Sequence, residues 1–190
     1  MYLALCLLLA VGALAQVPTT CPGPKQFEGR FQRYDRERRF HVQGAMAYDE
    51  TSKRIKEFED ESTSGNRTVY VKLKLYMENK EYILDLKTRK CNVTVPRHPF
   101  HPYGVPPGSN FQADAVVGAA GVPGESVTVA NFAYKMENAT FFVSVSEPHC
   151  FPISHAYFSQ EGLEVTNFFD GQEGISDPDA FQIPKECTSL

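Results

Sequence analysis

The 190-residue chain has no tryptophan, no G-x-S-x-G elbow and no glycine-rich loop that runs into Lys-Ser/Thr. The missing elbow removes the exposed nucleophile of an α/β-hydrolase. Gly118 to Gly124 (GAAGVPG) is the one small-residue loop, and neither a lysine nor a helix follows it to hold a phosphate. The cysteines lie too far apart for a C-x-x-C redox site or a zinc knuckle. Net charge is a mild -4, with Lys and Arg scattered, so the footprint of a nucleic-acid binder is absent. Arg30 to Arg39 holds five arginines broken by Asp35 and Glu37, and reads as a solvated turn. Nothing points to an enzyme.

What is present begins with a compartment. Leu3 to Leu14 is an apolar run ending in Ala13-Leu14-Ala15, the form of a signal peptide over residues 1–15. It is too short to cross a bilayer core of about 30 Å, so no transmembrane anchor is expected. Cleavage after Ala15 would leave a single secreted domain, 16–190. Cys6 leaves with the leader; Cys21, Cys91, Cys150 and Cys187 remain, enough for two disulfides in any of three pairings. Sequons at Asn66, Asn92 and Asn138 fit N-glycosylation.

The periodicity is two. Phe40, Val42, Gly44, Met46 and Tyr48 alternate with His41, Gln43, Ala45 and Ala47; Ile55 and Phe58 sit in a charged strand. Val69, Val71, Leu73, Leu75 and Met77 share one face, with Tyr70, Lys72, Lys74 and Tyr76 on the other. Further segments run from Tyr82 to Leu86, Cys91 to Val95, Val127 to Tyr134, Phe141 to Val145, Phe151 to Tyr157 and Leu163 to Phe169. About ten short strands at this spacing predict an all-β antiparallel sandwich or half-open barrel. Pro96 to Gly108, with five prolines, has no strand pattern.

Fourteen phenylalanines and nine tyrosines could fill the core of such a sheet or line a cavity in it, and periodicity does not separate the two. Two histidines three apart, His98 and His101, are too few ligands for a metal and read as part of a rigid loop. The acidic stretch from Asp170 fails the EF-hand spacing, because Gly174 and Ile175 stand at positions 5 and 6. Asp177 reads as the cap of a short helical turn starting at Pro178.

In order along the chain, C-P-x-P-x-x-F-E-G-R from Cys21, A-Y-D at Ala47, K-x-R-K-C from Lys87, C-F-P-I at Cys150 and T-N-F-F-D to Cys187 resemble the ependymin family. The resemblance spans Cys21 to Cys187. It implies secreted or lysosomal glycoproteins that form homodimers. Their fold is two stacked, curved antiparallel sheets around a hydrophobic pocket, similar to bacterial lipoprotein carriers. It pairs Cys21 with Cys150 and Cys91 with Cys187, and attributes calcium binding to the family, for which Asp170 and Asp177 are the candidates here. A third bridge of many vertebrate relatives is missing; its first cysteine would fall near Asn66.

The function expected is therefore a non-enzymatic binder of hydrophobic or lipid-like molecules. Phe40, Val42, Met46, Leu73, Leu75, Leu84, Phe141, Val143, Phe151 and Ile153 are the expected pocket residues. The rival is a calcium-dependent matrix or cell-adhesion protein with a filled core.

Overall fold

A computed structural model describes residues 18–35, 37, 40–63, 65–160 and 162–188. The expected leader, 1–15, lies outside them. Eleven strands form one antiparallel sheet: β1 (Gln26–Asp35), β2 (Phe40–Asp49), β3 (Arg54–Thr63), β4 (Asn66–Leu75), β5 (Lys80–Asp85), β6 (Cys91–Thr94), β7 (Asn110–Gly118), β8 (Ser126–Lys135), β9 (Ala139–Ser146), β10 (Pro152–Ser159) and β11 (Gly162–Glu173). The order β6-β5-β4-β3-β2-β1-β11-β10-β9-β8-β7 describes two meanders joined where β1 pairs with β11. The all-β, antiparallel and half-open architecture is as expected. Its two layers are halves of one continuous sheet whose edges, β6 and β7, do not pair with each other.

Turn chemistry fixes the hairpins. Between β2 and β3 the Asp49 carboxylate accepts from the Ser52 amide, and Lys53 takes a left-handed φ of 47°. Asn79 does the same before β5 with φ 53°. Between β5 and β6, Asp85 Oδ1 accepts from the amides of Lys87 and Thr88.

One connection is different. Residues 95–109 link β6 to β7, the two opposite edges of the sheet. Across a flat sheet of eleven strands the edges would stand roughly 48 Å apart, about the full reach of so short a link. The link is instead bent and docked on the middle of the sheet, which the sheet allows by curling. This strap carries Pro96, Pro99, Pro102, Pro106 and Pro107, so it offers few amides to a ladder. Its second half is fixed: the Gly23 amide donates to the Tyr103 carbonyl at 3.0 Å, and the Val105 amide to the Cys21 carbonyl at 2.8 Å. Gly104 must be glycine, with φ +116° and the Gly23 nitrogen 2.3 Å from where a Cβ would stand. The Cys21–Cys150 bridge holds the same corner.

The face under the strap, called the inner face here, carries the main core: Phe27, Phe31, Val42, Met46, Tyr48, Ile55 and Phe168, with Phe100, Tyr103 and Phe151 packed on them. The same face continues over β8 and β9 with Ala130, Phe132, Val143 and Val145. On the opposite face, Leu73, Tyr82 and Leu84 pack with Ala180, Phe181 and Cys187 of the C-terminal segment. Cys187 is bonded to Cys91, and the Arg54 guanidinium sits 4.2 Å over the Phe181 ring.

Two expectations are corrected. Arg30 and Arg33 are not in a solvated turn but in β1, whose bond partners are β2 and β11; the rest of the cluster (Arg36, Arg38 and Arg39) lies outside the described residues. In β3 the hydrophobic pattern is inverted: Phe58 is 46% exposed, whereas Glu57 and Glu59 are 3% and 0% exposed. Arg33 and the inverted β3 share one reason, a buried group of paired charges, whereas Arg30 pairs with Asp170 at the surface.

Candidate functional site

Cross-strand register places Arg33, Glu57, Glu59, Lys72, Lys74 and Glu81 on the inner face, since residues directly opposite each other share a face. Arg33 reaches over β2, its Nη2 donating to Glu57 Oε1 at 2.8 Å and its Nη1 to Glu59 Oε1 at 3.2 Å. Lys74 donates to Glu57 Oε2 at 2.6 Å, and Lys72 is ion-paired with Glu59. Burial works against the charge on Glu57, but Lys74 and Arg33 outweigh it and hold its carboxyl well below the usual range. Burial likewise disfavours the Arg33 and Lys74 cations, and the glutamates more than restore them.

Above Glu57 and Glu59 lies a cavity of about 240 Å³. Arg33, Lys72, Lys74 and Glu81 line it from the strands, Asp35 and Glu164 from its side, the rings of Phe40 and Tyr76 wall it, and Pro96, Arg97 and His98 of the strap cover it.

Beside the cavity the inner face is aromatic. Tyr103 packs edge-on to Tyr48 (ring centroids 4.8 Å apart), Phe27 (5.3 Å) and Phe168 (5.4 Å), bridging the two halves of the sheet. Phe100 stacks on Tyr48 at 5.9 Å and meets Tyr76 edge-on at 5.2 Å. His155 is enclosed by Tyr103, Phe141 and Phe168. Burial, aided by Arg33, lowers its pKa to about 3, so the ring is neutral. Burial pushes the Tyr103 phenol up.

The structure divides the expected pocket residues. Phe40, Val42 and Met46 share the inner face with Phe141 and Val143, and Phe151 touches that core through Phe27, at 5.2 Å. Ile153 lies half-buried in β10. Leu73, Leu75 and Leu84 are on the opposite face and are not brought together with the others. Lys72 and Lys74 take the inner positions of β4 because buried glutamates stand opposite them, which turns the leucines outward. Leu75 there borders a second, more open concavity with Met77, Phe181 and Ile183.

Asp170 is ion-paired with Arg30. Asp177 Oδ1 accepts from the Asp179 amide at 2.9 Å, capping a turn as expected. Among the described residues no group of three His, Cys, Asp or Glu side chains is placed to hold a metal. The three sequon asparagines are exposed.

The buried charged group was the part that periodicity missed. Its signal is nonetheless in the sequence: Glu57, Glu59 and Glu61 alternate on one strand while Lys72 and Lys74 alternate on the next.

A family model described as Ependymin matches residues 64–187, well over half of the chain. The chain belongs to the Ependymin family. Mammalian ependymin-related protein 1 of Rattus norvegicus is 22% identical over 175 residues, 90% of this chain and 77% of that protein. Ependymin of Notemigonus crysoleucas is 22% identical over 150 residues, 77% of this chain and 69% of that protein. Among solved structures, an uncharacterized conserved protein from Thermus thermophilus aligns with a TM-score of 0.52 at 6% identity, over 85% of this chain and 87% of that one. That likeness is one of fold. The disulfide pairing implied by the Ependymin resemblance is the pairing observed, Cys21–Cys150 and Cys91–Cys187. No helix among the described residues is long and apolar enough to cross a membrane.

Proposed function

We propose that this Ependymin-family protein is a non-enzymatic carrier that takes up hydrophobic, lipid-like molecules on the inner face of its sheet. One observation carries the reading. The aromatic row of Phe27, Tyr48 and Phe168 is covered by a single strap rather than a second sheet. Half of that strap, 95–102, makes no backbone hydrogen bond to the body among the described residues. Phe100 is held there by ring contacts with Tyr48 and Tyr76.

Phe100 is half-buried, and exposing a phenylalanine costs about 1.5–3 kcal/mol. Burying a methylene returns about 0.8 kcal/mol, so a chain of roughly four or more carbons is needed to displace Phe100. The ligand expected is a long-chain amphiphile or fatty acid. Secretion, glycans at Asn66, Asn92 and Asn138, and homodimer formation belong to the same proposal.

The test is titration with a fluorescent long-chain fatty acid, with mass spectrometry of a solvent extract of the purified protein. Phe100→Ala should bind about tenfold more tightly than the parent, because the cover no longer competes. An empty extract together with no binding by either protein would sink the carrier. The filled-core adhesion reading would then stand, and calcium titration calorimetry is its own test.

A further inference from the structure

Glu81 is only 8% exposed and lines the cavity under the strap, yet its carboxylate makes no hydrogen bond and no ion pair within 4 Å among the described residues. Its cross-strand neighbour Lys74 gives its ammonium to Glu57 instead, Lys72 pairs with Glu59, and Arg33 serves both glutamates. A buried carboxylate without a direct partner is costly, and a bound group can supply one.

The cavity is also polarised. Its strand side presents the Glu81 carboxylate, because Glu57 and Glu59 beneath the lining take up the cations Arg33, Lys72 and Lys74. Its strap side carries the exposed cation Arg97 beside His98. At about 240 Å³ it is smaller than the roughly 300–1,000 Å³ of sites that enclose a whole drug-sized ligand. It suits a head group. Tyr76 both lines the cavity and touches Phe100, so the cavity adjoins the aromatic face that the strap covers.

We infer that the cavity is a head-group site for a zwitterionic amphiphile, with the ligand ammonium against Glu81 and its phosphate under Arg97 and His98. This rests on the carrier reading above: the apolar chain would run along the inner face in place of Phe100. The Phe40 and Tyr76 rings add faces on which a quaternary ammonium can sit. Burial raises the Glu81 pKa against the opposing influence of Lys74 and Lys72, as expected for a carboxyl that waits for a closer cation.

The experiment is titration calorimetry below the micellar concentration, with dodecylphosphocholine, dodecyl maltoside and chain-free glycerophosphocholine as probes. The proteins are the parent, Glu81→Gln and Arg97→Ala. Glu81→Gln should weaken dodecylphosphocholine about tenfold or more, and Arg97→Ala several-fold, the range of a charge-assisted contact. Dodecyl maltoside should bind all three within about twofold, since its head is uncharged. If both detergents bind all three proteins equally, the head-group inference falls and the carrier stands. If glycerophosphocholine binds in a Glu81-dependent way while the maltoside does not bind at all, the head-group site stands and the carrier falls. Silence from all three probes overturns both. Arg97 is exposed on the strap, so its variant keeps the test decisive even where Glu81→Gln fails to fold.

Discussion

Arg33 and Glu57 are two strands apart in the sheet, yet the guanidinium Nη2 lies 2.8 Å from the carboxylate Oε1, spanning β2. A buried pair of this kind matters chiefly through what its loss leaves behind. Arg33→Ala would leave Glu57 and Glu59, 3% and 0% exposed, with only Lys74 and Lys72 to neutralise them. The expected loss is about 3–5 kcal/mol. Arg30→Ala, whose pair with Asp170 is solvent-exposed, should cost about 1 kcal/mol or less. Urea denaturation midpoints of the two variants check the contrast.

Gly44 lets β2 and β3 approach. A Cβ there would stand 1.9 Å from the Phe58 carbonyl oxygen, an atom of the backbone that cannot swing away. Gly44→Ala should therefore destabilise by about 1–3 kcal/mol, the usual range for overpacking. Thermal melting provides the measurement, and an unchanged midpoint would show that the two strands can part.

His155 gives stability a pH dependence whose sign is fixed. Its folded pKa is about 3, whereas an unfolded histidine titrates near 6.5. As pH falls below about 6.5 the unfolded chain takes up the proton first, so stability drops until the pH reaches the folded value. Between pH 7 and pH 5 the loss from this one group is about 2 kcal/mol. The charged groups that shift it are Arg33 and Glu57, and both stay ionised in that window. His155→Phe should flatten the profile by that amount, read from denaturation at the two pH values.

The Cys91–Cys187 bridge closes a loop of sequence separation 96. Replacing both cysteines by serine should cost about 4–5 kcal/mol on the chain-entropy model. Hydrogen exchange would locate the effect. Amides from Ile175 to Cys187 should lose protection, because only the packing of Phe181 and Ala180 on Leu73 and Leu84 and a few polar contacts, among them Arg54 over the Phe181 ring and Arg89 with Glu186, hold the segment once the bridge is gone. The strap should keep its protection at Tyr103 to Val105, where the other disulfide and the Gly23 and Cys21 backbone secure it.

Much of the fold was legible in the period-two pattern of β2, β4, β8 and β9, and the strap in its five prolines. β1 was not. Its sequence QFEGRFQRYD carries a basic residue on each face, and the arginines made it look solvated. β3 misled in the same way, because Glu57 and Glu59 sit where a hydrophobic strand would place valine. Alternation reports that a strand has two faces. It does not report which is buried when the buried face is made of matched charges.

The sequence by itself determined an all-β chain of short antiparallel strands, two bridges' worth of cysteines and membership of the Ependymin family, because these depend on local periodicity and on the order of motifs. Only the tertiary structure decided that the strands form one curled sheet and that the strap lies across its inner face. It also decided that Leu73, Leu75 and Leu84 face away from Val42 and Met46. Those are matters of register, and register is set by partners far apart in the chain: Arg33 against Glu57 and Glu59, and Lys74 against Glu57.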